Sequence, residues 1–313
     1  MRVTTLILPL LAVIFASSAS AQKFPTRDIT LVVQFAPGGN TDVNARLLAP
    51  YLSKELGVPV IVENRASGGG YVAINSVYRA NPDGYTLLLN VFPQNAQKEI
   101  VFDVPFRILE LTYLANYTKT DMFVAVAKDS PYNNLKDLLE ASRKKPLNVS
   151  VSQLGSAAHL NAMILKRRLG VNLEVIPYPG GAQAIAAMLG GHVDFISSDD
   201  ITVWLQRESV RPLVAFSDQR SAKFPDVPTL GELGEDTVSY SLIGIAGPPG
   251  MPEEVQKILS AALAKAIQNP ELIEKVQKSG GTVHYLPGPE FHNAARSFYK
   301  LVTEYKDIFE EKK

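Results

Sequence analysis

The chain contains no cysteine among its 313 residues. That excludes a disulfide framework and thiolate chemistry, and it leaves no cysteine to carry a lipid anchor. Excess charge is missing as well. Lys+Arg and Asp+Glu both number 31, so the balance offers no argument for nucleic acid. The basic runs Arg143-Lys144-Lys145 and Lys166-Arg167-Arg168 fall where helices should end, and cations there complement the helix dipole. His159, His192, His284 and His292 are widely separated and none has metal-ligand spacing, so no metal and no cofactor is expected. No G-x-x-x-x-G-K-[ST] run occurs, which removes a phosphate loop. Apolar runs long enough to span a bilayer are lacking too. The stretch 6–16 follows Arg2 and leads through small residues to Ala19-Ser20-Ala21, the A-x-A form that a signal peptidase accepts. Residues 1–21 therefore read as a signal peptide cleaved near Ala21, and the mature chain is expected to be exported and soluble.

What is present is ordinary globular composition, 46% hydrophobic and 20% charged, in a chain long enough for more than one domain. The stretch Phe35-Ala36-Pro37-Gly38-Gly39-Asn40-Thr41-Asp42 organises the rest. Before it, Ile29-Thr30-Leu31-Val32-Val33-Gln34-Phe35 reads as a buried strand; after it, Val43, Leu47, Leu48, Tyr51, Leu52 and Leu56 recur at helical spacing. Two glycines free the backbone between them, and Asn40 or Thr41 can cap the first turn. A helix N-terminus reached through such a turn presents unpaired N–H groups and the positive end of the dipole, a ready anion site.

The same arrangement recurs. Strands are expected over 58–64, 85–91, 111–117, 122–127, 147–153, 173–178, 193–197, 239–246 and 282–286. Helices are expected between most of them, and 92–109 reads as a loop with at most short helices. Alternation of this kind implies parallel β-α-β units. Pro252, Pro270 and Pro289 each sit at a helix start, where a missing N–H costs nothing. The C-terminal third has too few strands for a third domain and is expected to pack on the first. Two lobes result, 22–122 with 240–313 and 123–239, joined by a two-crossover hinge. Gln153–Ser156 and Tyr178–Gly181, in the second lobe, repeat the strand end, small-residue loop and helix start. In open α/β sheets ligands bind outside the carboxyl ends of strands, so donors from both lobes could hold one anion between them.

Two other patterns compete. Ser156 and His159 suggest a hydrolase, yet Leu154-Gly155-Ser156-Ala157-Ala158 is not the G-x-S-x-G of a nucleophile elbow, and a serine opening a helix serves first as its N-cap. Gly68-Gly69-Gly70-Tyr71-Val72-Ala73 fits the dinucleotide fingerprint, but the next strand ends Leu89-Asn90-Val91 without the acidic partner.

Several runs together resemble the extracytoplasmic solute receptors of the tripartite tricarboxylate transporters, the Bug family. They are Val33 to Asp42 through the Pro37-Gly38-Gly39 turn, Val62-Glu63-Asn64-Arg65, Pro82-Asp83-Gly84-Tyr85, Gly155-Ser156-Ala157-Ala158-His159-Leu160, Gly190-Gly191-His192-Val193-Asp194 and Phe224-Pro225-Asp226-Val227-Pro228. The resemblance covers essentially the whole mature chain. It implies an α/β, type II periplasmic-binding-protein fold without catalysis, a periplasmic location, a small organic acid ligand, and a large and a small integral-membrane subunit as partners. A monomer is expected. Carried over, the ligand loops are Phe35, Pro37, Gly38, Gly39, Asn40, Thr41 and Asp42 on one side, and Ser152, Gly155 and Ser156 with His159 behind on the other. Gly180, Gly181, Ser197, Ser198 and Asp199 would line the cleft from lobe two, and Asn90 closes the third strand beside it. The family's Tyr-Lys-Gly is Tyr178-Pro179-Gly180 here, which removes one possible cationic contact. Asp42 has two readings, a complement to the helix dipole or an acceptor for a ligand ammonium or hydroxyl.

The function expected is a receptor that closes on a small carboxylate and delivers it to a membrane permease. A sensor subunit for a membrane kinase, an exported hydrolase using Ser156 and His159, and a nucleotide-binding enzyme at Gly68 to Gly70 remain its rivals.

Overall fold

Apolar and β-branched residues make Ile29–Val33 a strand, β1, that is buried along nearly its whole length. It sits inside a computed structural model that describes residues 24–307 apart from Ala36, Gly39 and Asp236. The signal-peptide reading lies outside the described residues. From β1 the chain runs through α1 (Asn40–Leu56), β2 (Val60–Asn64), α2 (Tyr71–Tyr78), β3 (Thr86–Phe92), α3 (Gln94–Val101) and β4 (Thr112–Thr120). A second series holds β5 (Met122–Ala127), α4 (Leu135–Ser142), β6 (Leu147–Val151), α5 (Ala157–Arg168) and β7 (Leu173–Pro177). It continues with α6 (Gly181–Leu189), β8 (Phe195–Asp199), α7 (Asp200–Leu205) and β9 (Val210–Ala215). The last part is β10 (Ser241–Gly247), α8 (Glu253–Ile267), α9 (Pro270–Lys278), β11 (Thr282–Pro287) and α10 (Gly288–Glu304).

Two sheets form, in the orders β11-β4-β10-β3-β1-β2 and β7-β6-β8-β5-β9. The β-α-β units are parallel: β1 pairs in parallel with β2 and β3, and β6 with β7 and β8. The strands of the crossing segments are not. β10 runs antiparallel to both β3 and β4, and β5 antiparallel to β8 and β9. Alternation alone pointed to parallel pairing throughout; a strand entering from the other sheet needs no helical crossover and can pair antiparallel.

β9 escaped the sequence reading because Pro212 demotes its run. It is an edge strand, and its register with β5 shifts between Val124 and Ala125, opposite Pro212. α3 is a short helix of eight residues within the stretch expected as a loop with at most short helices. Pro93 stands immediately before it, as Pro252 does before α8.

The chain leaves the first sheet at Thr120, turns through Asp121 into β5, and returns along 216–240 to β10. One apolar cluster continues through this hinge, joining Phe92, Leu242 and Phe291 to Val124, Phe195 and Leu230. Close approach at β10 depends on Gly244, where a Cβ would lie 2.6 Å from the Ala115 carbonyl and 2.4 Å from the Phe291 ring. The basic run closing α5 does more than complement the dipole. Arg167 donates to the Glu304 carbonyl and pairs with Asp307, while Arg168 bonds the Tyr305 hydroxyl and pairs with Glu304. At another point Lys223 ties the Asp200 carboxylate to the Gly280 carbonyl.

Candidate functional site

The loop between β1 and α1 is organised by Asp42. Its carboxylate is almost fully buried and accepts from Gly38 N at 2.9 Å, from Asn64 Nδ2 at 2.9 Å, and from Arg46 Nε at 3.0 Å. Burial alone would raise its pKa. The bonds from Arg46, Gly38 and Asn64 outweigh that and hold the carboxyl below its ordinary range. Its acceptor positions are filled from within the protein, which bonds the carboxylate into its own loop at the start of α1. Gly38, at φ +85°, supplies the left-handed turn that brings its own N–H back onto Asp42. α1 begins at Asn40, so Asn40 and Thr41 lie within the first turn instead of capping it. The Asn40 side chain accepts from Asn44 Nδ2 at 2.8 Å. Gly39 is outside the described residues.

The loop between β6 and α5 is built on Ser156 and His159. Ser156 is the N-cap: its Oγ accepts from His159 N at 3.1 Å and donates to the Gln153 carbonyl at 2.8 Å. His159 Nδ1 accepts from Gly155 N at 3.0 Å, and Gly155 adopts φ +72°. The Ser156 proton is thus given to a carbonyl, and His159 Nδ1 is engaged in holding the loop. What remains for a ligand are the N–H groups of Ala157 and Ala158 at the start of α5, which have no carbonyl one turn back.

A cavity of about 230 Å³ joins the two loops. Phe35, Asn40 and Thr41 line it from the first loop, with Val91 and Gln94 from the end of β3 and the start of α3. Thr120, Ser241 and Ile243 come from the crossing strands, where Ser241 pairs with Thr120. Met122 comes from the start of β5, and the second lobe supplies Ser152, Ser156, Ala157, Ala158 and Asp199. The positive ends of α1 and α5 therefore open on one space from opposite lobes. Among the described lining residues none is Lys, Arg or His, and Asp199 is the one charged group. Its oxygens cap α7, accepting from Thr202 N at 2.8 Å and Thr202 Oγ1 at 3.0 Å. A larger hollow of about 410 Å³ lies between 237–240 and α10, lined by Arg168, Tyr240, Phe298 and Glu304. It collects none of the residues singled out as ligand-binding from sequence.

Of the residues read from sequence, Phe35, Asn40, Thr41, Ser152, Ser156 and Asp199 meet at this cavity. Pro37, Gly38, Asp42, Gly155 and His159 shape the loops around it without lining it. Asn90 points to the other face of β3 from cavity-lining Val91, since side chains alternate along a strand; its Oδ1 accepts from Asn95 Nδ2 at 2.7 Å. Ser197 and Ser198 are buried within β8, beneath the cavity. Gly180 and Gly181 also stand apart: a Cβ at Gly181 would lie 2.8 Å from Thr202 Oγ1, so that turn is spent on packing against α7. Of the glycines of 68–70, Gly70 has a packing reason too. Gly70 has φ +91°, and a Cβ there would press on Gln34 at 3.1 Å. Val91, Gln94, Thr120, Met122, Ala157, Ala158, Ser241 and Ile243 also line it and were not singled out. Pro93 was the available signal for Gln94, and the Ser156 cap for Ala157 and Ala158; the others sit in plain strand runs and carry none.

Two α/β lobes joined by two crossing segments, with helix N-termini from both facing one cleft, make this a solute receptor of the type II periplasmic-binding-protein fold. Residues 44–296 match the model of the tripartite tricarboxylate transporter family receptor, and the chain belongs to that family. It is 31% identical over 275 residues to the protein BugT of Bordetella pertussis, covering 85% of this chain and 84% of that one. A TctC solute-binding protein from Polaromonas superposes with a TM-score of 0.80 at 26% identity, over 90% of this chain and 99% of that one. MatC from Rhodopseudomonas palustris, solved with bound malate, superposes with a TM-score of 0.72 at 29% identity, over 92% and 99%.

Proposed function

We propose that this chain captures a small carboxylate in the cavity between its lobes and delivers it to the membrane subunits of a tripartite transporter. The observation that carries the reading is the convergence of α1 and α5: Asn40 and Thr41 from one lobe, and Ser156, Ala157 and Ala158 from the other, line one open cleft. Bringing a carboxylate out of water requires several donors, and these first-turn N–H groups are of the right kind. The malate in MatC is consistent with an organic acid here. We infer that residues 22–122 and 240–313 move as one lobe against 123–239, with Asp121 and Tyr240 near the hinge, and that the monomeric protein works in the periplasm after cleavage near Ala21. A large and a small integral subunit would receive the closed form. Catalysis by Ser156 is disfavoured because its hydroxyl proton is committed to the Gln153 carbonyl.

Thermal unfolding of protein denatured and refolded to remove bound ligand, against mono-, di- and tricarboxylates and amino acids, tests this. Ligand at a hundred times its dissociation constant stabilises by about 2.7 kcal/mol, which at roughly 2–4 °C per kcal/mol gives a shift of about 5–11 °C. A strong shift for one group of carboxylates is expected. A flat panel with folded protein would remove the carboxylate reading.

A further inference from the structure

We propose that Lys98 is the counter-charge for a second anionic group on the ligand, and hence that the receptor takes a dicarboxylate. The inference rests on the carboxylate reading of the cavity. Lys98 lies four residues beyond cavity-lining Gln94 in α3. Residues at that spacing share a helix face, and side chains lean toward the helix N-terminus, here toward Gln94. The same side of α3 meets the second lobe, because Gln97 Nε2 reaches the Ser156 carbonyl at 3.4 Å.

Among the described residues, half-buried Lys98 is the only Lys or Arg that is not exposed and whose side chain has neither an ion pair nor a hydrogen bond within the protein. Its chain neighbour Glu99 does not neutralise it. Glu99 turns to the other side of the helix, where it accepts from Ile108 N and the Tyr299 hydroxyl and pairs with Arg107. Holding an ammonium away from water without a partner is costly, and burial pushes the Lys98 pKa down. An anion arriving with the ligand offsets that cost. The opposite wall sharpens the placement. Asp199 stands there, so a second carboxylate is repelled from that end of the cavity and directed toward α3. One acid group would sit at the α1 and α5 N-termini and the other would reach Lys98.

Calorimetric titration of ligand-stripped protein with length-matched pairs, succinate against butyrate and adipate against hexanoate, tests the assignment. The dicarboxylate of the best-bound pair is expected to bind roughly 10- to 100-fold tighter, the range for a hydrogen bond to a charged group. Lys98→Met should collapse that ratio to within about threefold, as for a pair left to solvent, whereas Lys98→Arg should keep it. A ratio that survives Lys98→Met, or a monocarboxylate bound as tightly as its partner by the unaltered protein, overturns the proposal. Binding of neither member of any pair overturns the carboxylate reading itself, and the role of Lys98 with it.

Discussion

Replacing Asp42 by Asn asks whether the ligand loop is held by charge and geometry together. The side chain keeps its shape, but one acceptor oxygen becomes a donor, facing Gly38 N in the place of Oδ2 or Asn64 Nδ2 in the place of Oδ1. A buried donor left without its acceptor costs about 1–3 kcal/mol. The bond from Arg46 also loses its ionic partner, but that guanidinium is half exposed and screened by solvent. Asp42→Asn should therefore destabilise by about 1–3 kcal/mol, lowering Tm by roughly 2–12 °C at neutral pH for a chain of this size. The pH dependence has a definite sign. The folded carboxyl titrates below its unfolded value, so its stabilisation is present above pH of about 4 and is lost as pH falls through the lower folded value. The gap between the two proteins should therefore narrow as pH falls below about 4. Circular dichroism melts at pH 7, 4 and 2.5 would read this directly. A variant that melts with the wild type at pH 7, or a gap that persists unchanged into acid, would refute the account. So would an affinity loss confined to ligands bearing an ammonium, which would return Asp42 to the ligand.

Two further changes probe the frame behind the site. Gly244→Ala has no room between the Ala115 carbonyl and the Phe291 ring, and should cost about 3 kcal/mol or more because backbone must shift; a melt within about 2 °C of wild type would show that β10 yields more easily than its spacing implies. Asp200 is buried beside Lys223, and burial, exceeding the pull of that cation, raises its pKa to about 7. Its contribution is therefore greatest at low pH and falls as pH rises through 7, by up to roughly 4 kcal/mol. Asp200→Asn should flatten the decline in stability between about pH 4 and 7, and parallel slopes of stability against pH for the two proteins would refute the assignment.

Strand–loop–helix units were legible in the sequence because their causes are local. Apolar runs, Gly turns and Pro at helix starts mark β1, α1, β6, α5 and α9 within a residue or two. Ser156 was legible as a cap for the same reason: the bond it makes spans three residues. Which of those units share a cavity was not local. The α1 and α5 N-termini meet, while the equally glycine-rich start of α6 packs against Thr202, and nothing in the α6 turn itself distinguishes the two outcomes. The insertion of β10 between β3 and β4 brings Thr120, Ser241 and Ile243 to the cleft. Those residues meet through pairing across more than a hundred positions of chain, where no short-range pattern reaches. The facing of β3 decided that Val91 and not Asn90 lines the site, since one step along a strand reverses the side chain. Lys98 stands out only in three dimensions. A lysine in a short helix is unremarked in sequence, and its significance comes from burial without a partner, which the packing of the two lobes alone determines.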